Sequence, residues 1–325
     1  MIAIAVVQIK WGHSILAAMQ VHRSIEGLPT FSNAVITIGT FDGVHAGHRK
    51  IIGALISESK AIEGESIIIT FHPHPRKIVH PDEPLQLINT LGEKIELLSQ
   101  TGIDHLVIVP FSHEFSEQSA HDYVESFLIR KFRPHTIIIG YDHHFGKGRQ
   151  GNFMMLAEKA DQYNYRLLEI PKYILDEIAV SSTKIRNALL QSDVGTANKL
   201  LGYEFFFEGK VIKGDQLGRK LGYPTANLQY IDPEKIHLGH GVYAAYAELR
   251  DRKFRGMLSI GTRPTLDNSD ERVEINLFDF DEEIYDQILR VKVKRYLRPQ
   301  EKYASLDDLK AQLAKDKANS LACLD

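Results

Sequence analysis

Two kinds of sequence pattern predict an α/β domain followed by a small antiparallel β-barrel with a terminal helix. In the first part, short runs of β-branched and aliphatic residues alternate with helical stretches, as in a parallel sheet with crossover helices. From Phe205 onward, short segments of alternating polarity follow one another through turn signals, with almost nothing helical between them. A last stretch over residues 306–322 spaces Leu306, Leu309 and Leu313 for one apolar helix face. A chain of 325 residues with 43% hydrophobic content is long enough for two cores.

The elements follow in order. Residues 35–38 read as a buried strand, and the helix after it carries Ile51, Ile52, Leu55 and Ile56 on one face. A second strand at 67–71 runs into His72-Pro73-His74-Pro75, where the prolines force the chain out of the sheet. A helix at 91–100, a strand at 106–110, a helix at 123–131 and a strand at 136–140 follow, then a loop over 141–151 dense in Gly, His and cations. A strand at 166–170 precedes Ser181, Ser182 and Thr183, all N-cap types, so a helix begins there and runs through Leu190. Residues 195–202 form a short helix or linker that sets the boundary between segments 19–198 and 199–325. Five barrel strands are expected at 205–212, 241–249, 254–260, 272–278 and 289–296.

Composition narrows the function. The net charge of −3 gives no electrostatic case for nucleic acid or for an anionic membrane surface. A single cysteine, Cys323, rules out an intramolecular disulfide, disfavours structural zinc and fits a reducing, cytoplasmic setting. The apolar pieces within residues 1–20 are too short and too interrupted to span a bilayer. Residues 1–18 read as an extension with little function, since Met19 is itself a reasonable start.

Three stretches carry chemistry. In the turn after the first strand, Gly39, Gly43 and Gly47 let the backbone bend, while His45 and His48 sit three apart at a helix start and can face one side. Two imidazole donors aimed at one point suit the charge that builds on a phosphate under attack. The string has neither the lysine of a P-loop nor the Gly-x-Gly-x-x-Gly spacing of a dinucleotide fold. In the helix opening at Ser182, Lys184 and Arg186 oppose the helix dipole, and a bound phosphate would reverse that sign. In the second half, Gly214, Gly218 and Gly222 stand four apart with Arg219 as a counter-charge, a spacing that lets backbone fold around phosphates. Thr225 and Asn227 then place two neutral oxygens on one face of an extended segment, enough for a magnesium ion that already carries nucleotide phosphates. On the strand at 272–278, Glu274, Asn276 and Phe278 face one way, and a carboxylate there could accept a proton from a hydroxyl.

Taken together, the motifs resemble the bacterial bifunctional riboflavin kinase/FAD synthetase family. The likeness runs from about Leu28 to Asp316 and includes Gly39 to His48, Thr70 to Pro75, Gly140 to Gly151, Ser181 to Arg186, Gly214 to Leu228, Gly261 to Thr265 and Glu274 to Phe280. It implies a Rossmann-like nucleotidyltransferase domain of the His-x-Gly-His type and a riboflavin kinase barrel. It also implies two consecutive reactions using ATP, riboflavin and FMN. In the kinase, Glu274 would be the general base, Thr225 and Asn227 would hold Mg2+, and Gly214, Gly218, Arg219 and Gly222 would hold nucleotide. In the adenylyltransferase, His45 and His48 would be catalytic, with Gly39, Phe41, Asp42, Gly47, Ser182, Thr183 and Arg186 around the nucleotide. Pro73, His74, Asp142 and Arg298 would contact flavin.

Thr40 and Ser259 stand where the family often carries asparagine, and neither is assigned a ligand contact. Small molecules are the expected partners, and the chain is expected to be a monomer or a weak homo-oligomer. The competing readings are a single-activity nucleotidyltransferase sharing only the histidine unit, and a non-catalytic flavin or nucleotide sensor. The first would lack the Pro-Thr-Ala-Asn segment and Glu274; the second has no need of a base.

Overall fold

The computed structural model describes residues 18–170, 180–214, 217–262 and 271–324. The expectation for residues 1–18 therefore falls almost entirely outside the described residues, as do positions 215–216 and 263–265 of the quoted motifs. The chain forms two compact units: Met1–Leu85 with Asn89–Ser181, and Gln86–Ile88 with Ser182–Asp325.

The first unit is built on six parallel strands: β1 (Gln20–His22), β2 (Val35–Ile38), β3 (Ser66–His72), β4 (His105–Pro110), β5 (Thr136–Gly140) and β6 (Arg166–Ile170). Their order is β1-β4-β3-β2-β5-β6. β2 is buried at all four positions, as a strand covered on both faces must be. Chain order reverses direction between β2 and β5, so a crevice is expected at the carboxyl ends of those strands. Gly39, His72 and Gly140 all emerge on that edge. The helix Leu91–Ser99 starts at a capping box in which Thr90 and Glu93 satisfy each other's backbone N–H.

Three features of this unit went unread. β1 is a parallel edge strand on β4, where His22 Nε2 meets His105 Nδ1 at 3.2 Å. The helix Phe153–Tyr163 is bounded by Asn152 as N-cap and by a left-handed Asn164. Within the expected helix at 123–131, residues Tyr123–Ile129 are π-helical, and Tyr123 and Phe127 pack against Phe115 and each other.

The second unit is a closed antiparallel barrel of six strands rather than five: β7 (Phe206–Ile212), β8 (Ala226–Tyr230), β9 (Gly241–Leu249), β10 (Arg252–Thr262), β11 (Glu271–Leu277) and β12 (Ile288–Arg298). The closed order is β10-β11-β8-β7-β12-β9. The extra strand is β8, whose sequence reads only as an extended ligand segment. The helix Val194–Leu201 is sewn to this unit by Asn198, whose amide donates to Val293 O at 2.9 Å and accepts from Phe205 N–H at 2.8 Å.

The terminal helix Leu306–Leu321 forms on the predicted face, where half-buried Leu309 and Leu313 are followed at helical spacing by Asp316 and Ser320. Leu306 is 70% exposed, while Asp316 and Ser320 are buried. Asp316 turns inward because it accepts a bidentate pair from Arg298, Nε to Oδ1 at 2.9 Å and Nη2 to Oδ2 at 2.6 Å, with Gln312 Nε2 also on Oδ1 at 2.9 Å. Asp316→Ala strands a mostly buried guanidinium and should cost about 3 kcal/mol. Leu306→Ser should stay within about 0.5 kcal/mol. Urea midpoints for the two variants check both values.

Candidate functional sites

In the first unit the glycines explain the turn. A Cβ on Gly39 would lie 3.1 Å from the Phe41 ring, so its absence lets that ring fold back over the strand end. Phe41, Gly43 and Val44 all have positive φ, at 48°, 89° and 36°, and only one of the three is a glycine. The helix Ala46–Ala61 then starts with His45 as its N-cap, and His45 Nδ1 accepts from His48 N–H at 3.3 Å. A Cβ on Gly47 would sit 3.3 Å from the His45 ring, so Gly47 makes room for this cap. The two imidazoles stack with centroids 3.6 Å apart and planes 13° apart, and Phe41 lies 5.0 Å from His48.

The electrostatics follow from burial. His45 is pushed down to about 4 by burial, partly offset by Asp42. His48 lies well below the usual imidazole value, through burial first and then through His45 and Lys94. Both rings are therefore neutral at pH 7. Because His45 Nδ1 accepts, its proton is on Nε2, which leaves Nε2–H as the ring's donor. His48 Nδ1 is buried with no hydrogen-bond partner among the described residues.

Behind the pair, Asp42 is 1% exposed and accepts Asn89 N–H at 3.1 Å. The Thr40 carbonyl accepts from Lys94 Nζ at 2.7 Å and from Thr70 Oγ1 at 3.1 Å. Burial lowers Lys94, with Asp42 opposing. Asn89 and Lys94 support the turn together with Thr70, which opens a quoted motif, and neither of the first two stands out in the sequence. Their distances in sequence of 54 residues for Lys94 and 47 for Asn89 leave no local signal.

Other predicted residues are placed less simply. β3 ends at His72, Pro73 follows, and His74 caps the turn Pro75–Val79 by accepting Arg76 N–H at 3.1 Å. Asp142 is exposed on the β5 edge. The neighbouring His143 is driven down to about 4 by burial. Ser182, Thr183 and Arg186 lie at the start of the helix Ser182–Leu190, which belongs to the second unit. There Arg186 Nε donates to Gln86 O at 2.9 Å.

In the barrel, register brings the candidates together. Asn227 on β8 is the cross-strand partner of Glu274 on β11, and Glu274 is the partner of Ser259 on β10. Paired residues on neighbouring strands share a face with Cβ atoms about 5 Å apart. The opposite face of these strands, with Leu258, Ile260 and Ile275 at 0% exposure, forms the barrel core. Asn276, on the Glu274 face, donates from Nδ2 to Pro224 O at 2.6 Å and so holds the turn ahead of Thr225.

The glycine ladder has distinct jobs at each rung. A Cβ on Gly214 would fall 2.0 Å from Asn227 Nδ2, and one on Gly218 would fall 2.3 Å from Tyr223 O and 3.4 Å from Thr225 Oγ1. Gly222 has φ +83°. Backbone therefore passes directly over the two neutral oxygens. Among the described residues no group of three or more His, Cys, Asp or Glu could hold a metal. The donors fit a hard cation delivered with phosphates, not an all-protein cage. Arg219 is exposed nearby in sequence, and Arg298 is committed to Asp316.

The FAD synthetase family model matches residues 29–184, and the riboflavin kinase family model matches residues 201–324. The chain belongs to the bifunctional riboflavin kinase/FMN adenylyltransferase family. A member from Escherichia coli (strain K12) is 32% identical, with 90% of this chain and 95% of that one covered. One from Buchnera aphidicola subsp. Schizaphis graminum (strain Sg) is 35% identical, covering 92% and 96%. A crystal structure described as a macrolide-efflux protein from Streptococcus pneumoniae has a TM-score of 0.83 at 29% identity, covering 92% of this chain and 97% of that one. Among the described residues, no helix is long and apolar enough to cross a membrane. The bifunctional enzyme phosphorylates riboflavin to FMN and adenylylates FMN to FAD, with ATP, riboflavin and FMN as substrates.

The histidine pair sets a pH dependence. Both folded-state values lie below the unfolded value of about 6.5, so the unfolded chain binds more protons below that pH. Stability is complete above 6.5 and is lost as pH falls toward 4, by up to about 1.4 kcal/mol per pH unit for each histidine. His48→Gln should flatten the slope of thermal midpoint against pH between about 6 and 4.5. An unchanged slope would show that His48 is not held neutral by the fold.

Proposed function

We propose a division of labour by residue. In the kinase, Glu274 takes the proton from the riboflavin 5′-hydroxyl as that oxygen attacks the γ-phosphorus of ATP, and ADP leaves. The observation that carries this is the register that sets Glu274 directly opposite Asn227. Thr225 Oγ1 and the Asn227 side-chain oxygen hold Mg2+, while Gly214, Gly218 and Gly222 bring backbone close to the phosphates, with Arg219 as a counter-charge. The ion supplies charge neutralisation on the transferring phosphoryl group.

In the adenylyltransferase, an oxygen of the FMN phosphate attacks the α-phosphorus of a second ATP, and the bond to pyrophosphate breaks. His45 and His48 donate to the oxygens on which charge develops. Neutral donors suffice because the nucleophile is already anionic. Gly39, Phe41, Asp42 and Gly47 shape the turn around the nucleotide, and Ser182, Thr183 and Arg186 complete its phosphate contacts. Pro73, His74 and Asp142 line the flavin side of this step, and Arg298 the flavin side of the kinase. Residues 19–198 serve the adenylyl step and 199–325 the kinase step. The small net charge and lone Cys323 support a cytoplasmic enzyme, monomeric or weakly self-associating, with no nucleic-acid partner.

The two chemistries should separate. Glu274→Ala should lower FMN formation from riboflavin by about 10²–10⁴ and leave FAD formation from supplied FMN near wild type. His48→Ala should lower pyrophosphate release with FMN and ATP by about 10² or more, with a much smaller change in ATP affinity. Loss of both activities in either folded variant would overturn the corresponding assignment.

A further inference from the structure

The face that carries Glu274 has a second tie that the motifs do not contain. Gln300, two residues past the end of β12, donates from Nε2 to Ser259 Oγ at 3.0 Å. Ser259 is the β10 partner of Glu274 in the antiparallel register. Two residues further along β10, on the same face, stands Gly261, where a Cβ would fall 1.8 Å from Gln300 Oε1 and 2.2 Å from its Cδ. The carboxamide thus lies flat on the strand, in a space that exists only because residue 261 has no side chain. The segment bearing Gln300 is fixed just before it, at Arg298, by the bidentate pair with Asp316 of the terminal helix.

A serine hydroxyl has one hydrogen to donate and two lone pairs to accept with. With Gln300 Nε2 directed at its oxygen, Ser259 keeps its hydrogen for a neighbour on the same face. The carboxylate one strand away is an acceptor about 5 Å off at the Cβ level. We propose that Gln300 is a positioning residue for the kinase reaction: it holds Ser259 as a hydroxyl donor toward Glu274 and so aims the carboxylate at the substrate hydroxyl. This rests on the reading of Glu274 as the base. Gln300 touches neither substrate nor metal in this role, and its effect falls on turnover more than on binding.

The test uses the full chain and three variants. Gln300→Ala should lower kcat for riboflavin phosphorylation about tenfold, with KM for riboflavin and ATP within about twofold and FAD formation from supplied FMN unchanged. Gly261→Ala should reproduce that loss with Gln300 itself unchanged, because the nearest atoms the added methyl meets are the far end of that flexible side chain, which swings aside while the barrel folds. Gln300→Ala combined with Ser259→Asn should recover most of the rate, since asparagine carries an amide donor on a shorter stem into the vacated space. Unchanged kcat in Gln300→Ala overturns the proposal. So does a loss matched by KM, which would mark a substrate contact, or a loss shared by both activities, which would mark a folding role. Glu274→Gln, measured alongside, keeps the two readings apart. If it retains full kinase turnover, the base assignment fails on its own. If it is inactive while Gln300→Ala is not impaired, only the present inference fails.

Discussion

An imidazole held neutral in a buried turn is the condition on which the first unit depends. His45 can accept from His48 N–H only through an unprotonated Nδ1, and that bond closes the first turn of the helix Ala46–Ala61. The same burial that keeps both rings neutral would be costly for any charged group left unpaired. Asp42 is accordingly satisfied by Asn89 N–H, and Lys94 is tied to the Thr40 carbonyl. The strained backbone at Phe41 and Val44 is held by these ties, and it sets the histidine pair beyond β2, beside the point where strand order reverses. Rigid neutral donors have an advantage here. A charged pair at 3.6 Å would repel itself before it met any phosphate.

The barrel meets a different demand with different groups. A hydroxyl must lose a proton as it attacks, whereas a phosphate need not, so a carboxylate belongs in the second unit and has no counterpart in the histidine pair. Register supplies its neighbours without any local motif: Asn227 on one side and Ser259 on the other come from segments 47 and 15 residues away by numbering, joined only by sheet pairing. Glycine is used in two senses. At Gly222 it provides a positive φ, and at Gly214 it permits backbone to approach a side chain.

What could be read from the sequence was local or periodic. Val35 to Ile38, the helix after His45, the N-cap cluster at Ser182 and the alternation around Glu274 each carry their signal within a few residues, and the structure places each as an element there. What escaped depended on partners far along the chain. The strand β8 was hidden by the density of its own ligand-type residues, and β1 is three residues long, too short to alternate. The π-helical stretch keeps helical periodicity in the sequence, so its wider turn shows only in the aromatic packing of Tyr123 and Phe127. Lys94, Asn89 and Asn276 act through long-range hydrogen bonds, for which composition and spacing hold no trace.

The terminal helix shows most sharply where a periodic reading stops short. Leucine spacing marks the right face, since Leu309 and Leu313 are half-buried, but further along that face the fully buried positions are Asp316 and Ser320. An apolar seam buries area but tolerates sliding, because hydrophobic contact is not directional. A bidentate guanidinium–carboxylate pair accepts one register and loses most of its value in any other. A helix that only covered the barrel would be served as well by leucine. One that must hold residues 298–300 against β10 beside the proposed base requires the fixed geometry, so a buried charge pair continues the seam that the leucines begin.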